Sequence, residues 1–287
     1  MSSDNLLDKV KKLREITGVG FKDCKSAIDA NNGDIEKSIE FLRKKGIAKA
    51  NKKMERVAAD GLICIHESKN NFSMIEINSE TDFVAKNSEF ISFVEEVSEI
   101  SSTSQGKIEN ILISKMKNNK NVKDNIVDLI SKIGEKITFR RSAYVDSDDA
   151  INFSYTHSAV KKNLGKLGVL LSITTNKSKE DIKDLGKKLS MHIAAAAPLA
   201  IDRDDLDQGI LKKEKEIIKE ELLNSGKEQK IVDKIAVGKL NKFISDNTLL
   251  NQEWIIDPKK KVKDVLKEIN GNIVIKKFVR FKVGEGI

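Results

Sequence analysis

The hydrophobic periodicity of this chain changes at Gly61, and this change restricts the fold more than any other feature. Before Gly61, apolar residues recur every three or four positions, which places them on one face of a helix. After it, "GLICIHES" and "FSMIEIN" alternate apolar and polar residues and are joined by "KNN", the pattern of a β-hairpin. Helices followed by antiparallel strands predict an α+β fold.

The first 46 residues predict a compact module of three short helices. Gly18 suits the left-handed end of the first helix, and Gly46 is expected to end the third. The next segment, residues 47–59, is basic and poor in large apolar side chains, so we interpret it as a basic linker. A solvated linker or helix is a more frequent explanation of such a segment than a nucleic-acid arm. A module this small is expected to pack against a neighbour or a partner.

Residues 60–145 predict a first core subdomain, arranged as hairpin, helix, further helix and closing strand. A similar order recurs in residues 146–287, which we interpret as a second, related subdomain. The second subdomain carries an insertion at about residues 205–245, where apolar residues at helical spacing flank a break at Gly226. This pattern predicts an antiparallel coiled-coil hairpin that projects from the core and contacts a partner or a second copy of this chain.

The charge pattern favours a solvated surface over a nucleic-acid site. The formal net charge is +8, but the lysines are mixed with glutamates, and aromatic residues make up only 5% of the chain. A platform that stacks bases needs more aromatic side chains, so no direct nucleic-acid contact is expected. A basic nucleic-acid-binding protein stays as an alternative, because the net charge also fits it.

The chain lacks the sequence features of export and membrane insertion. No apolar run approaches the roughly 18 residues of a membrane span, and "MSSDNLLDKV" lacks a signal-peptide core. Cys24 and Cys64 are lone thiols without a CxxC pair, which is typical of a reducing compartment. We therefore expect a cytoplasmic protein with no membrane segment and no disulfide framework.

No arrangement of residues predicts catalysis. Gly18-Val19-Gly20 follows a helix instead of a strand and lacks the remaining residues of a phosphate-binding loop. The three histidines show no metal-ligand spacing. A hydrolase that uses Asp82 and His157 is a further alternative, but no nucleophile elbow surrounds any serine. We expect a binding protein that is not an enzyme and needs no cofactor or metal.

The segment "INSETDFVAKNSEF", residues 77–90, joins a predicted strand to a predicted helix. Phe83 and Val84 follow Asp82 before any helical pattern begins. From these residues alone, a core phenylalanine that anchors the connection is favoured over a side chain exposed for a partner. Both interpretations stay open at this point.

Five blocks of sequence, in this order along the chain, resemble the bacterial elongation factor Ts family. They are "LREITGVGFKDCKSAI", "NNGDIEKSIEFLRKKG", "ETDFVAKN", "MHIAAAAP" and "RFKVGEGI". The resemblance runs from about Leu6 to Ile287. It implies a ubiquitin-associated-like three-helix module, a two-part α+β core with antiparallel sheets and a coiled-coil hairpin. It also implies guanine-nucleotide exchange on elongation factor Tu, the GTPase that carries aminoacyl-tRNA to the ribosome.

The resemblance further implies which residues contact the GTPase. In the family, the TDFV segment intrudes near the magnesium and phosphate end of the nucleotide site, the N-terminal module grips the GTPase, and a histidine after a tyrosine adds a contact. Carried onto this chain, these residues are Thr81, Asp82, Phe83, Val84, Arg14, Val19, Gly20, Phe21 and His157. In this context, a Phe83 that is exposed and acts as a wedge becomes the favoured interpretation.

The chain departs from the family pattern in two places. Residues 158–168 read "SAVKKNLGKLG", longer than the short glycine-rich turn usual in the family, which bears on the placement of His157. The sequence also ends at "GEGI", whereas some members continue into a further helix that embraces the GTPase.

Overall fold

The computed structural model describes residues 3–224, 229–269 and 272–287 of the chain. The first part is a module of three helices, α1 (Ser3–Thr17), α2 (Phe21–Ala30) and α3 (Ile35–Lys53). Apolar residues of all three helices and of the turn before α2 meet in one small core. Its buried members are Val10, Leu13, Val19, Cys24, Ala27, Ile28 and Leu42.

The two glycines predicted to end helices behave differently. Gly18 ends α1 with a φ of +67°, and its N–H donates to the Arg14 carbonyl at 2.8 Å, so this prediction is confirmed. The end expected at Gly46 is wrong, because α3 continues to Lys53 through the first part of the predicted linker. A side chain at Gly46 would meet Ser131 of the core, with its Cβ only 3.1 Å from the hydroxyl oxygen. Gly46 therefore permits close packing of α3 instead of ending it.

Within the described residues, the core contains two antiparallel sheets and a two-stranded ribbon. The strands are β1 (Asp60–Glu67), β2 (Asn71–Ser79), β3 (Thr138–Asp146), β4 (Ile151–His157), β5 (Leu164–Gly165), β6 (Leu167–Thr174), β7 (Glu253–Trp254), β8 (Asp257–Lys261) and β9 (Val274–Lys282). The first sheet has the order β3-β2-β1-β5, the second has the order β4-β6-β9, and β7 pairs with β8. Every pairing of these strands is antiparallel, so the predicted α+β class is confirmed.

Helices cover the two sheets and connect their strands. In chain order they are α4 (Asp82–Ala85), α5 (Ser88–Thr103), α6 (Ile108–Ile113), α7 (Val122–Ile133), α8 (Lys183–Ala196), α9 (Gln208–Asn224), α10 (Gln229–Asn247) and α11 (Val262–Glu268). Helix α5 packs on β1 and β2, and α8 packs on β4 and β6. Each of these two helices buries its apolar face in a separate cluster of core side chains.

The two sheets share the same arrangement of three strands. In each, a hairpin (β1–β2 or β4–β6) is completed by a later strand, β3 or β9, which pairs with the second strand of the hairpin. Both of these later pairings contain one register shift, after Glu76 in β2 and after Ser172 in β6. The predicted ranges 60–145 and 146–287 do not separate the sheets completely, because β5 comes from the second range and pairs with β1.

Helices α9 and α10 pack against each other where the helical insertion is predicted. Their shared seam is small, and its buried members are Ile218, Leu222, Val232 and Ala236. Lys239 Nζ and Glu221 Oε1 form an ion pair at 2.8 Å beside the seam. Gly226, the predicted break between the helices, lies outside the described residues. We refer to α9 and α10 together as the helical arm.

A buried histidine joins α8 to the segment that follows the helical arm. His192 is fully buried, its Nε2 lies 3.0 Å from Gln252 Oε1, and its ring stacks on Trp254 with 5.2 Å between centroids. The Gln252 amide nitrogen donates to the carbonyls of Ala196 and Asp246. The amide oxygen therefore faces the imidazole ring, and His192 carries its proton on Nε2.

We expect the stability of the fold to fall as the pH decreases below about 6.5. His192 Nδ1 accepts the Ile255 N–H at 3.4 Å, and a second proton on the ring removes this bond. Burial lowers the pKa of His192 below its ordinary value of 6.5, although the bond to Gln252 raises it in part. The stability contributed by neutral His192 is thus present above the unfolded pKa and is lost as the pH falls towards the lower folded pKa. Urea unfolding at several pH values measures this slope, and an equal slope in His192→Gln contradicts the assignment.

Candidate functional site

Helix α4 is a single turn that presents Phe83 to solvent. It packs on β1 and β2, and its residues Val84 and Ala85 belong to the core beneath α5. Successive residues of a helix point about 100° apart, so anchoring Val84 and Ala85 turns Phe83 away from the core. Phe83 is 79% exposed, whereas Val84 is 5% exposed. The interpretation of Phe83 as a core residue is therefore wrong, and its expected exposure is confirmed.

An ion pair lies beside the exposed ring. Asp82 Oδ2 accepts from Lys86 Nζ at 2.7 Å, one helical turn further along the chain. The hydrogen bond from Lys86 lowers the pKa of Asp82, and the same bond raises the pKa of Lys86. Lys86 Nζ is 6.0 Å from the centroid of the Phe83 ring, at the outer limit of a cation–π contact. The turn thus presents an apolar ring next to two charged groups that are already paired.

The residues before α4 are bonded to the loop between α7 and β3. The Glu135 carboxylate accepts the Thr81 backbone N–H at 3.0 Å and the Thr81 hydroxyl at 2.7 Å. In the opposite direction, the Lys136 N–H donates to Glu80 Oε1 at 2.6 Å. We call these three hydrogen bonds, among Glu80, Thr81, Glu135 and Lys136, the clasp. They fix the start of the single-turn helix α4, which we call the Phe83 turn, to the end of the first sheet.

Glu135 was not among the predicted site residues, because its position depends on strand register. Strands β2 and β3 pair so that Asn78 lies opposite Thr138. Beyond this pair, the residues that follow Asn78 and those that precede Thr138 continue along the same edge, which brings Thr81 to Glu135. The local sequence gives only a weak signal for the role of Glu135, which directly follows Gly134, the residue that ends α7 with a φ of +87°. Only the predicted pairing of β2 with β3 could have indicated this contact.

The clasp is also tied to the segment after α3. Arg56 Nη1 lies 3.2 Å from Glu80 Oε2, and Lys136 Nζ donates to the carbonyls of Met54 and Arg56 at 2.7 and 2.8 Å. Burial raises the pKa of Glu80, but the bonds from the Lys136 N–H and Arg56 outweigh it, so this pKa lies below its ordinary range. Glu80 is therefore ionised near neutral pH and holds the two segments together.

His157 lies at the exposed end of β4, close to the base of β1. Its Nδ1 is 3.0 Å from Tyr155 Oη, and its carbonyl accepts the Lys166 N–H at 3.3 Å. Lys166 Nζ in turn donates to the Asp60 carboxylate and, at 2.9 Å, to the Gly61 carbonyl. His157 pairs with Leu167 of β6, and the longer segment between them contains β5, which pairs with β1.

Lys166 is bonded to the His157 backbone and also acts electrostatically on Asp82 of the Phe83 turn. After the bond from Lys86, the charge of Lys166 contributes to the lowered pKa of Asp82. Asp82 and His157 do not act on each other, since Asp82 is bonded to Lys86 and His157 lies against Tyr155. These two residues therefore do not form the acid–base pair that the hydrolase alternative requires.

The site residues predicted in the module lie between the last turn of α1 and the start of α2, but only some of them are exposed. Arg14 is exposed and Phe21 is about half exposed, whereas Val19 is buried in the module core. Gly20 is the residue from which α2 starts, with an ordinary φ of −58°. Val19 is therefore buried in the module core, as Val84 is buried in the core beneath α5.

A cleft separates the turn between α1 and α2 from the start of α5. This cleft, of about 790 Å³, lies between the module and helices α5 and α7. Lys132 spans its edge: a side chain added at Gly18 would clash with the Lys132 side chain, and Lys132 Nζ is 3.5 Å from Glu89 Oε2 at the start of α5. Arg43 of α3 pairs with Asp124 of α7 at 3.4 Å across the same cleft.

Neither cysteine is poised for chemistry. Cys24 and Cys64 are buried free thiols, and burial raises the pKa of Cys64 to about 11, which keeps it protonated near neutral pH. In the part of the chain that the structure describes, no group of three or more His, Cys, Asp or Glu side chains is arranged to hold a metal ion. Across those same residues, no helix is both long and apolar enough to cross a membrane.

Comparison with known proteins identifies the family. A family profile described as elongation factor TS matches residues 80–285. The elongation factor Ts of Bartonella quintana (strain Toulouse) is 42% identical over 284 residues, covering 97% of this chain and 92% of that protein. That of Methylobacterium sp. (strain 4-46) is 40% identical over 283 residues, with the same coverage. The fold, the exposed turn and these similarities define a translation elongation factor. The chain belongs to the elongation factor Ts family, which confirms the resemblance found in the sequence.

Proposed function

We propose that this chain is a guanine-nucleotide exchange factor for elongation factor Tu. It binds the GTPase with GDP, disturbs its magnesium and phosphate site, and promotes GDP release so that GTP rebinds during translation elongation in the cytoplasm. Membership of the elongation factor Ts family supports the partner and the process. One observation carries the mechanism: Phe83 is 79% exposed on a turn whose next two residues are anchored in the core.

An exposed ring on an anchored turn is suited to insertion into another protein. Burying a phenylalanine side chain stabilises a complex by about 1.5–3 kcal/mol, so Phe83 offers binding free energy of this size. Packed interiors resist deformation, and a ring inserted among the helices of the GTPase displaces the loops around it. Mg²⁺ demands near-octahedral ligation and bridges phosphate oxygens, so a small displacement of those loops weakens nucleotide binding.

The exchange reaction requires this chain to bind, not to make or break a bond. If the factor binds the nucleotide-free GTPase better than the GDP form, GDP binds the complex more weakly by the same ratio. Each tenfold change corresponds to about 1.4 kcal/mol. Release that is faster by roughly several thousandfold therefore needs about 5 kcal/mol of differential contact energy. Phe83 supplies part of this energy, and other contacts supply the rest.

The remaining site residues divide into contacts and supports. Arg14, Phe21 and His157 are exposed, and we propose them as contacts with the GTPase. Asp82 lies next to the ring, where it orients the turn or meets backbone N–H groups of the partner. Gly20 is also exposed and is proposed as a contact. Val19 and Val84, which are buried, and Thr81, which is bonded to Glu135, are proposed as supporting residues.

The helical arm is proposed as a further contact surface. Outside its buried seam it exposes the apolar side chains Ile210, Ile217, Leu223 and Val237. Large contiguous apolar patches mark interaction sites, and we propose that these side chains contribute to such a patch. The GTPase and a second copy of this chain are the two partners considered for the arm or the core. Sedimentation of the chain alone and with the GTPase distinguishes them.

Release of a fluorescent GDP analogue from elongation factor Tu tests the proposed function. With unlabelled GDP in excess, we expect this chain to accelerate release even when it is substoichiometric, because it is not consumed. An unchanged release rate contradicts the proposal. A gel shift with tRNA at two salt concentrations serves as the counter-test, since tight binding that drops steeply with salt would favour the nucleic-acid-binding alternative.

A further inference from the structure

Thr81 occupies the N-cap position of α4 without capping it. An N-cap threonine normally accepts a hydrogen bond from a backbone N–H of the first helical turn. Here the side chain forms no such bond, and the Thr81 hydroxyl donates to Glu135 Oε1 instead. The hydroxyl is thus bonded to a residue distant in sequence. It fixes where the turn sits on the core and does not stabilise the turn internally.

Glu135 is itself held by anchored residues on both sides. Gly134 closes α7 through its N–H, which donates to the Ile130 carbonyl at 3.0 Å, and Ile137 is buried in the core of the first sheet. From this fixed position each Glu135 oxygen accepts one Thr81 donor, the hydroxyl at Oε1 and the backbone N–H at Oε2. Two bonds between one pair of residues set a direction as well as a distance, and ionised acceptors make the stronger hydrogen bonds.

We propose that Glu135 is a positioning residue of the nucleotide-exchange reaction, an inference that rests on the proposed function. Through Thr81, it holds the turn so that the Phe83 ring meets the GTPase in a fixed direction. Phe83 is largely surrounded by solvent, so its direction is set by the backbone of the turn. A turn that is already ordered loses less conformational entropy when the ring inserts beside the nucleotide site, which lowers the barrier to GDP release within the complex. The clasp therefore strengthens the effect of Phe83 without touching the partner.

The dependence of GDP release on factor concentration tests this role, because it separates the maximal rate from the half-saturating concentration. We expect Glu135→Ala to lower the maximal rate about tenfold, equivalent to ~1.4 kcal/mol. The half-saturating concentration should change less than about twofold, since the module and the arm still bind. Glu55→Ala is the matched control: Glu55 is an exposed acid beside Arg56, and its side chain forms no hydrogen bond with the residues that the structure describes.

Two further variants separate positioning from general destabilisation. In Glu135→Gln the amide oxygen still accepts the Thr81 N–H, and the amide N–H₂ donates to the Thr81 hydroxyl oxygen. This variant should therefore recover most of the maximal rate. Thr81→Val removes the hydroxyl alone and should lower the rate less than Glu135→Ala. The double variant Thr81→Val/Glu135→Ala should be no slower than Glu135→Ala, because both changes remove the same bond.

Amide hydrogen exchange of the free factor tests the clasp without the GTPase. In Glu135→Ala, the amides of residues 81–86 should exchange faster, with those of β1 and α5 unchanged. The proposal is overturned by a maximal rate equal to that of the Glu55→Ala control, by an equal loss in Glu135→Gln and Glu135→Ala, or by a change in half-saturating concentration alone. If the unaltered chain fails to accelerate release, the proposed function fails, and faster exchange in this segment still shows that the clasp orders the turn.

Discussion

Replacing Phe83 with alanine is expected to slow GDP release by the factor–GTPase complex about 30-fold while the fold stays intact. The substitution removes a ring that is 79% exposed, so it opens no cavity in the core. In the complex it removes the burial of the ring, worth about 2 kcal/mol, and each tenfold in rate corresponds to about 1.4 kcal/mol. Stopped-flow release of a fluorescent GDP analogue at saturating factor measures the effect directly.

The control for Phe83→Ala is another exposed apolar residue. Ile113, at the end of α6, is 72% exposed, and Ile113→Ala should leave the release rate unchanged. A second experiment repeats the assay after chelation of Mg²⁺. If Phe83 acts through the magnesium site, chelation removes part of the difference between the parent and Phe83→Ala, because the metal ligation that the ring disturbs is already lost. Release by Phe83→Ala as fast as by the parent would falsify the wedge mechanism.

The fold was predictable where local periodicity and packing agree. The alternation that begins at Gly61 and the helical spacing before it lead to the observed α+β architecture. The prediction failed at Gly46, because a glycine is compatible with a helix end and with close packing, and only the contact with Ser131 decides between them. Strand β5 was not predicted as a strand separate from β6, because it is two residues long and is defined by its pairing with β1.

The site was predictable only in part from local sequence. The residues around Phe83 are compatible with a buried or an exposed ring, and the family resemblance, not the residue pattern, favoured exposure. The structure decides between a buried and an exposed ring, because Val84 and Ala85 occupy the core and Phe83 is left exposed to solvent. Glu135 lies 54 positions from Thr81, a separation that only the β2–β3 register can bridge.

Replacing Glu76 with alanine is expected to cause the largest loss of stability, about 3–5 kcal/mol. Glu76 is fully buried in β2, and its carboxylate accepts from Arg140 Nη1 at 2.9 Å and Arg141 Nε at 2.5 Å. It also accepts the Asn78 amide at 3.0 Å and the Gly284 N–H at 2.9 Å. Alanine leaves all of these donors without this acceptor, and two of them are positively charged.

The same carboxylate holds the segment after β9 on the first sheet. Arg141 Nη2 donates to the Lys282 carbonyl at 3.0 Å, and a side chain at Gly284 would clash with the Ala59 carbonyl. Losing Glu76 therefore loosens the contact between the two sheets as well as β2. For a chain of this size, each kcal/mol of lost stability lowers the melting temperature by about 2–4 °C. We therefore expect Glu76→Ala to melt roughly 10 °C lower than the parent. Glu109→Ala, which changes an exposed acid of α6, is the matched control.

The pH dependence of stability separates the contribution of the Glu76 charge from that of the side-chain volume. Burial raises the pKa of Glu76, but the bonds from Gly284, Asn78 and the two arginines outweigh it, so this pKa lies below its ordinary 4.5. The stability from ionised Glu76 is thus present above about pH 4.5 and is lost as the pH falls through the lower folded pKa. Glu76→Gln keeps the volume and one acceptor oxygen but has no carboxylate to protonate. Its unfolding free energy should fall less steeply in acid than that of the parent. A parallel fall in both proteins, or a Glu76→Ala melting temperature equal to that of Glu109→Ala, means that the carboxylate does not join the two sheets.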